Sequence, residues 1–149
     1  KGAGYRGMCG GQAIDLHSEH KAISLEELKL LHSKKTGALI RAAVALGAIA
    51  ADADKDTLKT LDDYAVNIGL GFQVWDDVLD VIGDTEIMGK TQGSDESLDK
   101  STYPKLLGLE EAKAFAYECA AKACEALKSL PYDTTILSQF ANFAVSRDH

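Results

Sequence analysis

The sequence is short of several things, and each shortage excludes something. Its three cysteines, Cys9, Cys119 and Cys124, are an odd number without a C-x-x-C pair, so neither a disulfide framework nor a zinc ribbon is implied and a reducing cytoplasm is the expected compartment. Prolines are only two, Pro104 and Pro131. No segment alternates apolar and polar residues between turn signals, which speaks against a sheet. The longest apolar run, ALIRAAVALGAIAA, is interrupted by Arg41 and is too short to span a bilayer; no signal peptide is visible at the start. Positive charge is the minority: 16 basic against 23 acidic residues give a net charge of -7, which argues against nucleic acid or an anionic membrane as the main partner. An anionic small molecule would need a local cationic site or a metal.

What remains is a helical chain in which alanine and leucine dominate. At 149 residues it is one ordinary domain or a piece of a larger one, and the opening KGAGYRGMCGG, without an initiator methionine, favours the piece. Punctuation predicts a first helix over about 5–15 and a second that starts at the S-x-x-E capping signature of Ser24 and Glu27 and runs toward Lys35. A break or kink is expected at Lys35-Thr36-Gly37, after which a helix resumes to Ala51. A long central helix follows from about Asp56 to Ile82, then a polar, glycine-rich loop from Asp84 to Pro104, and two helices over about 109–130 and 134–147. Trp75, Phe115, Phe140 and Phe143 read as core residues, and Cys119 and Cys124 as small packing residues.

The central helix contains GLGFQVWDDVLDVIGD, with three aspartates inside one of the most apolar segments. At about 100° per residue, Gly69, Gln73, Asp76, Asp77 and Asp80 share one stripe. A merely solvated acidic face would be interleaved with Lys or Arg at i+4, yet none occurs between Thr60 and Gly89 among seven acidic residues. Close carboxylates repel and raise one another's pKa unless a cation sits among them. Magnesium suits such a place, because it takes one or two carboxylates plus water and fills its other positions with phosphate oxygens. His17 and His20 beside Glu19 lack a fourth ligand and read as turn residues.

Cations for a diphosphate are also present. Lys90 and Lys100 lie in the loop beyond the acidic helix, and Lys35 lies at the expected break. Most loop lysines are ordinary surface residues; their place beside turn residues makes phosphate contact the sharper reading. A broken helix at Lys35-Thr36 also frees backbone carbonyls, whose negative ends stabilise a developing positive charge.

Through GMCGGQAIDL, HSKKTGALIRAAVALGA, GLGFQVWDDVLDVIGDTEIMGKTQGSD and KSTYPKLLGLEEAK, in that order, the chain resembles the polyprenyl diphosphate synthases, specifically the bacterial farnesyl diphosphate synthase type. The resemblance implies an all-α isoprenoid synthase bundle. It implies magnesium-assisted ionisation of an allylic diphosphate and attack on the resulting cation by isopentenyl diphosphate. Carried over by position, Asp76, Asp77 and Asp80 match the second aspartate-rich motif as magnesium ligands, Asp76 the most direct. Lys35, Lys90 and Lys100 match lysines near the allylic diphosphate, Thr36 and Gln73 residues close to the cation, and Phe72 the aromatic on the isopentenyl side. Gln12 and Asp15 match a supporting G-Q-x-x-D element on the cavity wall.

The family's first aspartate-rich motif and its isopentenyl-gripping basic residues have no counterpart in residues 1–149. Residues 1–149 are therefore expected to be the C-terminal portion of one isoprenoid synthase domain, inactive alone, whose full-length form is a cytoplasmic homodimer. The alternatives are a non-catalytic binding or regulatory relative and a geranylgeranyl diphosphate synthase, since product length is set near the missing motif.

Overall fold

A computed structural model describes residues 1–87 and 100–148, and every regular element among them is helical. The order is α1 (Met8–His17), α2 (Leu25–His32), a π-helical turn (Ser33–Gly37), α3 (Ala38–Ala50), α4 (Lys55–Ile87), α5 (Tyr103–Leu107), α6 (Leu109–Leu127) and α7 (Thr135–Ala144). No helix among the described residues is long and apolar enough to cross a membrane.

α2 begins where the capping signature put it. The Glu27 N–H donates to Ser24 Oγ at 3.3 Å and the Ser24 N–H donates to Glu27 Oε2 at 2.8 Å, so two donors at the helix start are satisfied reciprocally. Replacing Ser24 by Ala is expected to cost about 1 kcal/mol, read as a lower urea midpoint with an unchanged slope.

At Lys35-Thr36-Gly37 the chain does not break. The helix widens into a π turn and runs on into α3. Such turns insert one extra residue into a helix and often mark functional positions. The expected loop also shrinks at both ends: α4 continues to Ile87, and Tyr103 and Pro104 open a short helix whose cap is the Thr102 hydroxyl, which accepts from the Lys105 N–H at 3.4 Å. Proline is tolerated in that first turn because its missing N–H would have had no helical partner.

α4, 33 residues and roughly 50 Å at 1.5 Å per residue, is the axis of the molecule. Its middle packs Val74, Trp75 and Val78 against Leu28, Tyr103 and the alanines of α6. Its first half packs Tyr64 and Ile68 against Leu127 of α6 and Ala141 and Ala144 of α7. The contact face of α6, Ala112, Ala116, Cys119, Ala120 and Ala123, is made of small residues at helical spacing, which allows close approach of α4. Cys119 is buried there, and burial pushes its thiol up to about 11, as suits a packing residue.

Phe140 and Phe143 do not fill the core. They are 53% and 60% exposed, because α7 turns its small residues Ala141 and Ala144 to the bundle and its phenylalanines outward. Arg41, the charge inside the apolar run, forms two bonds of 2.8 and 2.7 Å to Asp62 across α3 and α4. Both side chains are nearly half exposed, so this pair fixes register more than it stabilises.

Candidate functional site

Three helices meet where the sequence placed its polar motifs. α1 presses on the π turn at Gly11: a Cβ there would lie 2.2 Å from the Lys35 nitrogen and 2.5 Å from its Cα, so no side chain fits. α4 presses on the same turn at Gly69, where a Cβ would stand 3.3 Å from Gly37 Cα. Those two close approaches bring Asp15 of α1, Lys35 and Thr36 of the π turn, and Gln73 of α4 together.

The Thr36 hydroxyl donates to Gln73 Oε1 at 2.9 Å. Gln73 in turn hydrogen-bonds the Asp77 side chain. Asp77 is 7% exposed and accepts the Tyr103 N–H at 3.0 Å, so it ties α4 to the start of α5. Burial pushes its carboxyl up to about 6; the Tyr103 and Gln73 bonds oppose that, and the neighbouring Asp80 and Asp76 charges add to it.

Asp80 is exposed and lines a polar cleft of about 230 Å³ together with Asp15, Lys35, Gln73, Asp77 and Lys100. Asp15 reaches Lys35 Nζ at 2.6 Å and Lys100 Nζ at 3.5 Å. Burial raises the Asp15 carboxyl, but the hydrogen bond and charge of Lys35 and the charge of Lys100 outweigh it and leave the group below the ordinary carboxylate value. His32 lines the cleft too, pushed down to about 4 by burial and by Lys35, so its ring is neutral at physiological pH.

On the other side of the π turn lies an apolar cavity of about 490 Å³ lined by Leu39, Ile40, Val44, Ile68, Phe72 and Phe140, with Lys35 and Thr36 on its wall. Lys35 therefore belongs to both spaces. Gln12 lines neither; it is exposed on α1. Lys90 lies outside the described residues.

One contact was not legible in the sequence. Asp76, without a basic neighbour on its own helix, is ion-paired with Arg147, whose guanidinium also stacks over the Phe72 ring at 4.1 Å and whose carbonyl accepts the Trp75 indole N–H at 2.9 Å. Burial still leaves the Asp76 carboxyl raised, against the pull of Arg147 and with the Asp80 charge adding to it. The partner is separated from Asp76 by the whole of α6 and α7, beyond the reach of an i+4 pattern.

Among the described residues no three His, Cys, Asp or Glu side chains are gathered closely enough to hold an ion by themselves. Magnesium asks for less: one or two carboxylates, completed by water and phosphate oxygens. The hard oxygen donors of Asp76, Asp77 and Asp80 fit that demand, and burial holds the carboxyls of Asp76 and Asp77 above their ordinary value, that of Asp76 even beside the Arg147 guanidinium.

Over an alignment of 150 residues the chain is 51% identical to the farnesyl diphosphate synthase of Escherichia coli (strain K12), covering 98% of itself and 50% of that protein. The chain thus spans about half the length of the curated relatives it matches. Among solved structures, a putative farnesyl-diphosphate synthase from Marinomonas sp. MED121 superposes with a TM-score of 0.81 at 39% identity, over 97% of this chain and 49% of that one. A geranyltransferase from Helicobacter pylori, complexed with magnesium and isoprenyl diphosphate, superposes with a TM-score of 0.75 at 35% identity, over 95% of this chain and 46% of that one. Residues 4–132 match the polyprenyl synthetase family, and with that match and the identity to its curated relatives the chain belongs to that family.

Proposed function

We propose that these residues are the C-terminal portion of an isoprenoid synthase domain, in a prenyltransferase that condenses an allylic diphosphate with isopentenyl diphosphate to give farnesyl diphosphate. One observation carries the reading: a polar cleft and an apolar cavity share Lys35 as a wall. A charged head on a hydrocarbon tail is the ligand shape that such a pair accommodates, with the bond that breaks near the shared wall.

In this reading Lys35 and Lys100, with Lys90, neutralise the charge that collects on the departing diphosphate. Asp76, Asp77 and Asp80 would hold magnesium, which when bound supplies Lewis-acid assistance to that departure. Asp80 faces the cleft directly, whereas Asp76 reaches an ion only by sharing or releasing Arg147. Thr36 and Gln73 turn oxygens toward the place where the allylic cation develops, and their mutual bond of 2.9 Å holds both in position. Phe72 and the other apolar residues exclude water, which would otherwise capture the cation. The farnesyl product, the homodimer and the cytoplasmic location belong to this same proposal, and the relatives of similar sequence support the first of them.

Isothermal titration of the chain with magnesium and a bisphosphonate tests the half-site alone, and incubating the whole protein with an allylic diphosphate and isopentenyl diphosphate tests the reaction. The expected results are heat on titration and a product longer by one isoprene unit. A whole protein that binds the bisphosphonate yet forms no longer product would favour the non-catalytic relative.

A further inference from the structure

The reading above gives Asp15 no role in its chemistry, although Asp15 makes the closest contacts of the two cleft lysines. Its side chain is 13% exposed and lies behind theirs, which are 37% and 53% exposed. Each carboxylate oxygen serves a different lysine: Oδ2 takes Lys35 at 2.6 Å and Oδ1 takes Lys100 at 3.5 Å. The lysines come from the π turn and from the segment before α5, and nothing in either segment's own helix geometry draws them to one point. Two ammonium groups converging on one place repel; a carboxylate between them, one oxygen to each, reverses that.

Holding two cations by separate oxygens is also what a diphosphate would do at this pair. We propose that Asp15 is an internal counter-ion that holds Lys35 and Lys100 in the place of the substrate's diphosphate, so that binding exchanges one anion for another. This rests on the proposal that the two lysines receive a diphosphate. Before binding, Asp15 keeps the lysines gathered over the cleft and not spread into solvent. A diphosphate, with more charge and more acceptor oxygens, displaces it, because the lysines stand on the solvent side where they swing to the ligand and the carboxylate stays behind. A small monoanion brings no more than Asp15 already offers, which makes Asp15 a positioning residue that screens the cleft against weak anions.

The sign of one affinity change separates this from a merely structural role. If Asp15 competes, Asp15→Asn frees the lysines and inorganic pyrophosphate binds more tightly, by about tenfold for one charge-assisted bond no longer displaced. If Asp15 only props the lysines, the same substitution weakens binding. Isothermal titration of pyrophosphate into the chain and its Asp15→Asn variant, in metal-free buffer, reads the difference, and Lys35→Met in the variant should abolish the gain. In the unsubstituted chain the Asp15 carboxyl carbon resonance, followed by NMR, should shift as pyrophosphate is added; this measurement stands even if the variant does not fold. Binding by the chain with equal or weaker binding by the variant overturns the counter-ion alone, as does a resonance that stays still while pyrophosphate binds. Absence of binding by both overturns the diphosphate reading and the counter-ion with it.

Discussion

Asp77→Asn should stabilise the chain at neutral pH by about 2 kcal/mol and lower its stability by up to about 1 kcal/mol near pH 4. Asp77 is 7% exposed, and its carboxyl is pushed up to about 6 from an ordinary 3.8. A folded-state pKa above the unfolded one means that the folded chain binds the proton more tightly. The stabilising contribution of that proton is therefore complete below the unfolded value and lost as pH rises through the folded one. At pH 7 the chain carries an ionised carboxylate in a place that disfavours it, a cost of about 3 kcal/mol at roughly 1.4 kcal/mol per unit. Asparagine removes the charge and still accepts the Tyr103 N–H, but it gives up the Gln73 bond, worth about 1 kcal/mol. Urea unfolding in chelator at the two pH values checks this; equal or lower stability of the variant at pH 7 would sink it. The residue whose buried charge destabilises the fold is also one that the proposed metal would need, the usual tension between stability and activity.

Gly11→Ala should cost about 3 kcal/mol and disorganise the cleft. The added methyl carbon would meet backbone atoms of Lys35 at 2.2 and 2.5 Å and Lys34 carbonyl carbon at 2.8 Å, and backbone does not yield as a side-chain tip does. α1 must therefore move off the π turn. Asp15 sits one turn further along α1 and moves with it, so the 2.6 Å pair to Lys35 opens at the same time. Thermal and urea unfolding measure the first effect and pyrophosphate titration the second. A variant that melts with the parent would show that α1 and the π turn are not pressed together.

Local signals in the sequence translate directly into structure. Ser24 and Glu27 predict the start of α2 because a capping box is closed within four residues, and the acidic stripe of α4 follows from helical periodicity alone. The poor helix formers Thr36 and Gly37 announce an irregularity, but whether a helix breaks or widens depends on the packing of α1 and α4 against it, which no local pattern contains. The same limit explains the phenylalanines of α7: hydrophobicity says that Phe140 and Phe143 seek cover, while the packing of α7 on the bundle gives the inward positions to Ala141 and Ala144. It explains Arg147 as well, since the acidic face does have its basic partner, delivered by the fold from far along the chain. Of the proposed site, Lys35, Thr36, Gln73, Asp77, Asp80, Asp15 and Lys100 come together around the π turn, and Gln12 stays outside.

Trp75 is the only tryptophan in the chain, and the fold has wired it to the site. Its indole is 7% exposed, lies 5.4 Å from the Tyr117 ring, and donates its N–H to the carbonyl of the arginine that grips Asp76. A ligand that draws Asp76 away from Arg147 is expected to loosen that carbonyl and admit water to the indole. The expected optical readout is Trp75 fluorescence that moves to longer wavelength as the arginine lets go, with no label attached and no other tryptophan to blur the signal.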